Sequence, residues 1–544
     1  MNNMNGTLDM QKRMLLMTVI ILVIFISYEF LVLKPQKDLR LEKEKIELTK
    51  KNSINSKNSM SIVEDKNSAP IVENIKEDDI KRLPSNNLLS KNNIISTIKT
   101  KNNIITIDRL GRILQVQLLG KQYIDDKNRQ INLFDTSKLR PLEIRFSNKN
   151  INNEAFTINV IASSSNIDAR KSVQKLILTQ KLSKTTLKKI LTIYPNGNYN
   201  IEVVTNPRKN FFITTGFRPD VLADMYAEHG VIMKLSDGST NIISDEDLDK
   251  TTTFNKIDFI SAFDRYYATV LYNFDKSFKL SLMPDKDENP QVFIHSNGNI
   301  KLGGYIGPKY FDILNNIDPK LTDVIEYGFF TFLAKPMFIF LKFLYDYVGN
   351  WGWTIVLLTL IIKLLLYPLS YKGMVSMQKL KDLTPKIKAI QEKHKDDKQK
   401  ASIAMMDLYK KHGANPMGGC LPILLQIPIF FAIYRVLLNS IELKGASWIL
   451  WIEDLALMDP YYILPILMGA TMYLQQKITP NTMQDEMQKK IFQLLPVIFT
   501  FFFLWFPAGL TLYWFVNNVF TVGQQYYINR LFDKRREDKI SLQK

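Results

Sequence analysis

Apolar and polar positions are distributed very unevenly along the 544 residues. Met14–Leu33 is an apolar run of roughly 20 residues, enough to cross a bilayer, and Lys12 and Arg13 precede it. Tyr28, Glu29 and Phe30 stand where a signal peptide would carry small residues for cleavage, so the run reads as an uncleaved anchor. Lys34–Ser90 is rich in Lys, Asn, Ser and Glu and buries too little apolar surface to offset ordering. It reads as a mobile tether that admits a short helix around Leu39–Leu48. From Asn93 to Asn299 short β-rich runs alternate with Asn, Gly, Asp and Pro, among them IITID, ILQVQLL, PLEIRF, FTINVIA, KILTIYP and VIMKL. Many short strands with turn signals predict an antiparallel sandwich. Tyr327–Val348 is apolar and aromatic, but Lys335, Pro336, Lys342 and Asp346 interrupt it, which predicts an amphipathic helix lying in the membrane interface.

The C-terminal third predicts five crossings. Trp351–Leu369 opens on the aromatic anchors Trp351 and Trp353. Leu421–Leu438, Tyr461–Gln475, Ile491–Phe506 and Leu510–Tyr526 follow, the last two joined by Pro507, Ala508 and Gly509. Pro422, Pro428, Pro465 and Pro496 predict tilts and kinks. Between the first two crossings, Lys372–Lys395 and Asp397–His412 read as an amphipathic helical hairpin, bent at Pro385. Met374, Met377, Met405, Met406 and Met417 recur there, suited to meeting varied apolar partners or to ordinary gap-filling. Tyr371–Pro416 carries eleven lysines against five acids, and the tail after Arg530 is basic, so both belong in the cytoplasm. Asn439–Pro460, with one lysine against four acids, belongs outside. With the anchor this makes six crossings, both termini inside and the β-domain outside.

Charge and cysteine usage narrow the chemistry. A net charge of +18 suggests anionic partners, lipid or nucleic acid, or simply the lysines that orient membrane loops. A single cysteine, Cys420, excludes an internal disulfide framework and a thiolate metal cluster. Four scattered histidines form no ligand spacing, and the β-rich part carries no carboxylate pair, nucleophile elbow or phosphate loop. No cofactor, metal or catalytic residue is expected.

One residue is out of place in the first core crossing. Lys363 lies within the apolar run, where a cation costs about 2.5–3.5 kcal/mol on insertion scales. Thr359 lies one turn before it and Tyr367 one turn after, on one helix face. A lysine snorkelling to the inner surface is one reading, since the helix end is about 9 Å away. A polar path is the other. Lys363 and Gln426 both fall some 8–9 Å below the cytoplasmic surface, and Asn517, Asn518 and Thr521 occupy the middle and inner part of the last helix. The outer half, FTFFFLWFP, is almost wholly apolar. A cavity open to the cytoplasm and closed outward accounts for this depth pattern, and plain interhelical hydrogen bonds are the alternative.

The segments WGWTIVLLTLIIKLLLYPL, NPMGGCLPILLQIPIFFAIYRVL, DPYYILPILMGATMYLQQK and LPVIFTFFFLWFPAGLTLYW resemble the YidC/Oxa/Alb family of membrane protein insertases over about Tyr327 to Arg530. The anchor, tether and outer β-domain look like the Gram-negative form, KIDFISAFDRYYATVLY being the most recognisable piece of that domain. The resemblance implies a polytopic α-helical membrane protein with six transmembrane helices, five of them an insertase core, and a large periplasmic antiparallel β-sandwich. The implied division is an anchor at 1–33, a tether at 34–90, the β-domain at 91–326 and an interfacial helix at 327–350. The core follows at 351–530 with its cytoplasmic hairpin at 371–416, then a basic tail at 531–544.

The resemblance further implies a non-enzymatic protein of the inner membrane. It inserts nascent membrane proteins and assists their folding, alone or with the Sec translocon and its accessory subunits. The bilayer is its medium; the basic tail, with Lys534, Arg535 and Arg536, and the inner loops suit contact with the ribosome or, equally, with anionic lipid headgroups. A groove cation receives the hydrophilic part of the client; the family usually has arginine, and Lys363 stands at the matching position. Thr359, Gln426, Tyr513 and Trp514 match other groove positions, and Asn517 and Asn518 join them by depth. A secondary transporter would need inverted repeats, and an intramembrane hydrolase a serine, an aspartate pair or metal ligands at depth. No inverted repeat is visible, and none of those hydrolase residues is present in the five core crossings.

Overall fold

The computed structural model describes residues 93–124, 128–221, 228–394, 397–413, 421–479 and 486–541. The expected anchor, tether and Leu39–Leu48 helix lie outside those residues, as do Met417 and Cys420.

The β-rich part folds into two sheets that share one core. A four-stranded sheet runs in the order Ile113–Leu118, Asn103–Asp108, Ile94–Lys99 and Asn166–Asp168. Its last pairing, Ile98 beside Ile167, is parallel. The other sheet has 13 strands, and its neighbours pair antiparallel. Strict alternation drives this layering: in Thr185–Ile193 every second residue, Leu187, Leu191 and Ile193 among them, is buried. Of the expected strand FTINVIA, Phe156 and Thr157 end a helix and the next three residues are irregular. Asn148 caps helix α1, Lys149–Thr157, by accepting from the backbone N–H of Asn150 at 3.1 Å and Ile151 at 3.2 Å, and only Ile161–Ala162 is strand. The cap and the buried face of Ile151, Asn152 and Ala155 outweigh the β-propensity of the run.

The remaining helices are α2 (Phe311–Ile317), α3 (Thr331–Val348), α4 (Trp351–Leu365), α5 (Tyr367–Lys393), α6 (Lys398–Lys411), α7 (Leu421–Asn439), α8 (Ile463–Ile478), α9 (Glu486–Phe503) and α10 (Ala508–Ser541). Helix α3 buries Ala334, Phe338, Leu341 and Leu344 and exposes an aromatic face, Phe332 at 72% and Tyr347 at 77%. Lys335 and Lys342 on its flank reach Asp323 at 2.6 Å and Asp312 at 3.3 Å. Gly349, at φ 70°, ends α3 in the left-handed region that a glycine adopts without strain. Asn350 then caps α4 by accepting from Trp353 N–H at 3.1 Å.

Helix α4 is shorter than expected. It stops at Leu365, and the chain bends by 64° into α5 at Leu366. Pro368 in the first turn of α5 supplies no N–H and its ring crowds the preceding turn, so the helix cannot run straight through. Tyr367 therefore starts the next helix instead of sharing a face with Thr359 and Lys363. By length and composition, Gly328–Val348 is the one described helix that could cross a membrane unaided; the α4–α5 pair qualifies only as a bent span, and Gln426–Asn439 and Lys490–Phe503 are shorter apolar helices. The α5–α6 hairpin closes on Leu380, Leu383 and Ile387, with Met377 and Met405 packed inside it, while Met406 is exposed. Helix α10 runs 34 residues without a break, through the segment expected to be a basic tail.

The β-domain docks on one end of the helical bundle through the FDRYY segment. Asp264 orders its turn by accepting from Tyr266 and Tyr267 N–H at 2.8 and 3.1 Å. Arg265 Nε then donates to Leu438 O at 2.8 Å, one of the last carbonyls of α7, which lack partners within their own helix. Asn439 Nδ2 donates to Glu326 O at 2.6 Å, Lys444 to the Tyr267 hydroxyl at 2.9 Å, and Phe311 N–H to Glu442 at 3.0 Å.

Candidate functional site

Helix α4 turns one stripe inward: Trp351, Ile355, Leu358, Thr359 and Lys363 are buried, whereas Leu364 and Leu365 are exposed at 62% and 74%. Lys363 thus points into the protein, at 8% exposure, while its two neighbours face outward. Its ammonium donates to Thr521 Oγ1 of α10 at 2.8 Å. That hydroxyl donates in turn to Asn517 O at 2.7 Å. From the third side Gln426 Nε2 of α7 donates to Asn517 Oδ1 at 3.0 Å. Three helices thus meet through neutral polar groups around one cation, and no ion pair reaches Lys363 among the described residues.

These groups border a recess of about 20 Å³, room for about one water. Lys363, Gln426, Tyr513 and Asn517 line it with Leu366 and Ser370 from the bend and the first turn of α5. The other three expected site residues lie elsewhere. Thr359, one turn along α4, spends its hydroxyl on Ile355 O at 2.7 Å. Trp514 belongs to an aromatic cluster, edge-on to Phe430 at 4.6 Å and stacked on Phe499 at 5.8 Å. Asn518 faces α8, where its Nδ2 lies 3.5 Å from Met468 O and from Thr471 Oγ1. Asn517 and Asn518 are adjacent on a helix and so necessarily point about 100° apart. Ser370 had no signal in the sequence, because its place at the recess depends on the bend at Leu366. Thr521 did have one: it lies one turn from Asn517 on the same face.

Lysine held among neutral groups in an apolar helical bundle, with a large β-domain docked on one end, fits a helical membrane protein with an extramembrane domain. Sequence comparison makes the class specific. Residues 343–536 match the 60Kd inner membrane protein family, and residues 96–340 match the YidC periplasmic domain. A protein of Campylobacter jejuni called membrane protein insertase YidC is 50% identical over 99% of this chain and 100% of its own length. Its namesake in Wolinella succinogenes is 46% identical over 97% and 96%. Among solved structures, an active YidC insertase with its first transmembrane domain resolved covers 80% of this chain and 95% of its own, at 19% identity and a TM-score of 0.35. The chain belongs to the YidC family.

Proposed function

We propose that this protein inserts membrane proteins into the inner membrane and assists their folding, and that the Lys363 recess receives the hydrophilic part of each client. The observation that carries the reading is the lysine's own situation. A buried cation normally has a carboxylate partner, and this one rests on Thr521 beside Gln426 and Asn517. Such a site suits a transient anionic or hydrophilic occupant. A snorkelling lysine would extend toward the helix end, whereas this side chain reaches across to α10. Thr359, Trp514 and Asn518 serve the site indirectly, as packing and helix–helix contacts.

The mechanism is non-enzymatic. A polar recess shortens the low-dielectric path for a short hydrophilic segment, while the client's apolar segment slides along the exposed apolar faces of the bundle into lipid. The membrane potential adds about 2.3 kcal/mol per charge per 100 mV for acidic segments moving outward. In this reading the core at 351–530 works from the cytoplasmic side, with six crossings, both termini inside and the domain at 91–326 outside. The anchor and tether at 1–90 hold the chain to the membrane, and α3 lies in the outer interface at 327–350. The Sec translocon with its accessory subunits and the ribosome, met by the hairpin at 371–416 and the basic end at 531–544, are the expected partners. Proteoliposomes carrying the purified protein test the reading by protease protection of a small single-span client. Lys363→Arg should insert it and Lys363→Glu should not. Normal insertion by Lys363→Glu with both acidic and neutral clients would remove the cation from the mechanism.

A further inference from the structure

A strand at the edge of a sheet presents a row of unpaired N–H and C=O groups, and proteins guard such edges with short strands, charged side chains or covering chain. The end strands of both sheets are guarded in these ways. Ile161–Ala162 is two residues long and Asn166–Asp168 three. Ile144–Phe146 carries Arg145, which pairs with Glu143 at 2.9 Å. Ile113–Leu118 is covered by returning chain, where Leu118 N–H donates to Ile131 O and Leu133 N–H to Val116 O, both at 3.0 Å.

The branch strand Thr240–Ser244 has none of these devices. It pairs with Gly230–Leu235 on one side and has no strand on the other among the described residues. Its sequence, TNIIS, holds no charge and no proline, and its register runs without a bulge. Hydrogen bonding fixes which groups face out. At the two ends of the pair, Leu235 N–H donates to Ser239 O and Asp245 N–H to His229 O, both at 2.9 Å. Bonded and non-bonded pairs alternate in an antiparallel ladder. Asn241 and Ile243 therefore bond inward to Met233 and Val231, while Thr240, Ile242 and Ser244 turn their backbone groups outward. The hairpin is held ready, since Asp237 accepts from the Ser239 N–H at 2.8 Å and its hydroxyl at 2.6 Å. Ile242 and Ile243 lie half-buried on opposite faces, so a strand added alongside would complete their cover.

Charge selects the occupant. Asp237, Asp245, Glu246, Asp247 and Asp249 bracket the strand, and Glu228 accepts from the Ser244 hydroxyl at 2.9 Å. Arg218 offsets Asp245 at 2.6 Å, and Lys250 is the only cation between 236 and 250. This surplus attracts a segment with Lys or Arg at its ends and repels an acidic one. A second copy of the same strand would set acid against acid. The outward loops of clients are poor in Lys and Arg, which points to a partner protein instead.

We propose that Thr240–Ser244 is a strand-addition site for an extended, basic-ended segment of a partner protein on the outer side of the membrane. From the functional reading above it takes only the outward placement of the β-domain, and its test does not involve insertion. The full chain in nanodiscs of zwitterionic lipid is titrated into a labelled synthetic peptide of alternating threonine and valine with paired lysines at both ends. Ile242→Pro removes an outward N–H and sets a ring where the added strand would lie, leaving the bonds to Gly230–Leu235 in place. It should weaken binding about tenfold or more, as should exchanging the peptide's lysines for glutamates. Affinities within about twofold after either change overturn the site, as does no binding of the lysine peptide at about 1 mM. Amide hydrogen exchange of the unsubstituted protein is the second measurement and is independent of how any variant folds. Bound peptide should slow exchange at Ile242 and Ser244 about threefold more than at Asn241 and Ile243, which are already bonded. An equal effect on both pairs, or none on either, overturns the site as well.

Discussion

In the β-domain, Asp108 sits between Arg112 and Arg140 at 2.8 and 2.7 Å and also accepts from the backbone N–H of Leu110 and Arg112. Arg112 passes on to Glu143 at 2.9 Å, which pairs with Arg145 at 2.9 Å. Beside them the fully buried Lys189 donates to Gly111 O and Leu142 O, both at 2.8 Å. In the helical core, Lys363 is comparably buried and has Thr521, Asn517 and Gln426 around it, all neutral. The first cluster interleaves opposite charges and satisfies its carboxylates from several sides. The second leaves one cation without a counter-charge among the described residues, beside a recess. Burial is common to both lysines; what sets Lys363 apart, and motivates its proposed role, is that only neutral groups surround it whereas Lys189 sits beside the Asp108 and Glu143 carboxylates.

The contrast is sharpest in what removing one partner does. Asp108→Ala leaves Arg112 and Arg140 facing each other without their carboxylate, which should cost the β-domain about 3–5 kcal/mol. Pulse proteolysis of the full chain in urea measures this, and a cost under about 1 kcal/mol would show that water replaces the carboxylate easily. Lys363→Met should do the opposite: it removes an uncompensated buried charge, so thermal stability should hold or rise while client insertion falls about tenfold, about 1.4 kcal/mol. A variant that loses stability and insertion together would make Lys363 a structural residue like Asp108.

How much of this was legible beforehand differs between the two regions for physical reasons. The β-domain's layering followed from alternation, but α1 did not, because a local cap at Asn148 and a buried face decided it. The lysine was legible as an anomaly within an apolar run, and Gln426 and Asn517 joined it by depth. Depth gives no azimuth, so Asn518 and Trp514 were grouped with the site although they face α8 and the aromatic cluster. The bend at Leu366 was the larger omission. Pro368 was visible, but the place it gives Ser370 is a tertiary consequence that only the folded chain displays. The FDRYY segment likewise looked like a domain signature, and its packing against α7 gives it a physical reason.

The junction between the two regions offers a pH test. Burial raises the carboxyls of Glu326 and Glu442 to about 7, Glu326 further by neighbouring Glu228 against the opposing pull of Arg435. A carboxyl raised above its unfolded value binds more protons when folded, so stability falls as pH rises from about 4.5 to about 7 and is flat beyond. His295, lowered by burial to about 4, contributes the opposite slope between about 4 and 6.5. Lys309, lowered by burial to about 8, acts only above that range. The difference between wild type and Glu326→Gln isolates the junction. Glu326→Gln should remove the Glu326 share of the fall in melting stability between pH 4.5 and 7, leaving a visibly flatter profile. An identical pH profile for the two proteins would mean that Glu326 stays ionised against Arg435 throughout.

Thr521→Val carries the smallest expected effect and discriminates best between the two clusters. It removes the hydroxyl that receives the Lys363 ammonium while keeping the shape of the side chain. If the recess is wettable, a water takes the hydroxyl's place, because the site has room for about one and Asn517 and Gln426 remain to hold it. The loss of stability should then stay below about 1 kcal/mol, far from the cost expected at Asp108, and insertion should change by less than about threefold. Solvent hydrogen exchange at the Asn517 side-chain amide should quicken in the variant, since the water that replaces the hydroxyl comes from outside. If the core is dry, the ammonium is stranded instead, and Thr521→Val should destabilise the protein as strongly as Asp108→Ala. That result would make the helical core a closed polar cluster of the same kind as the one in the β-domain and would remove the physical basis for a client path at Lys363.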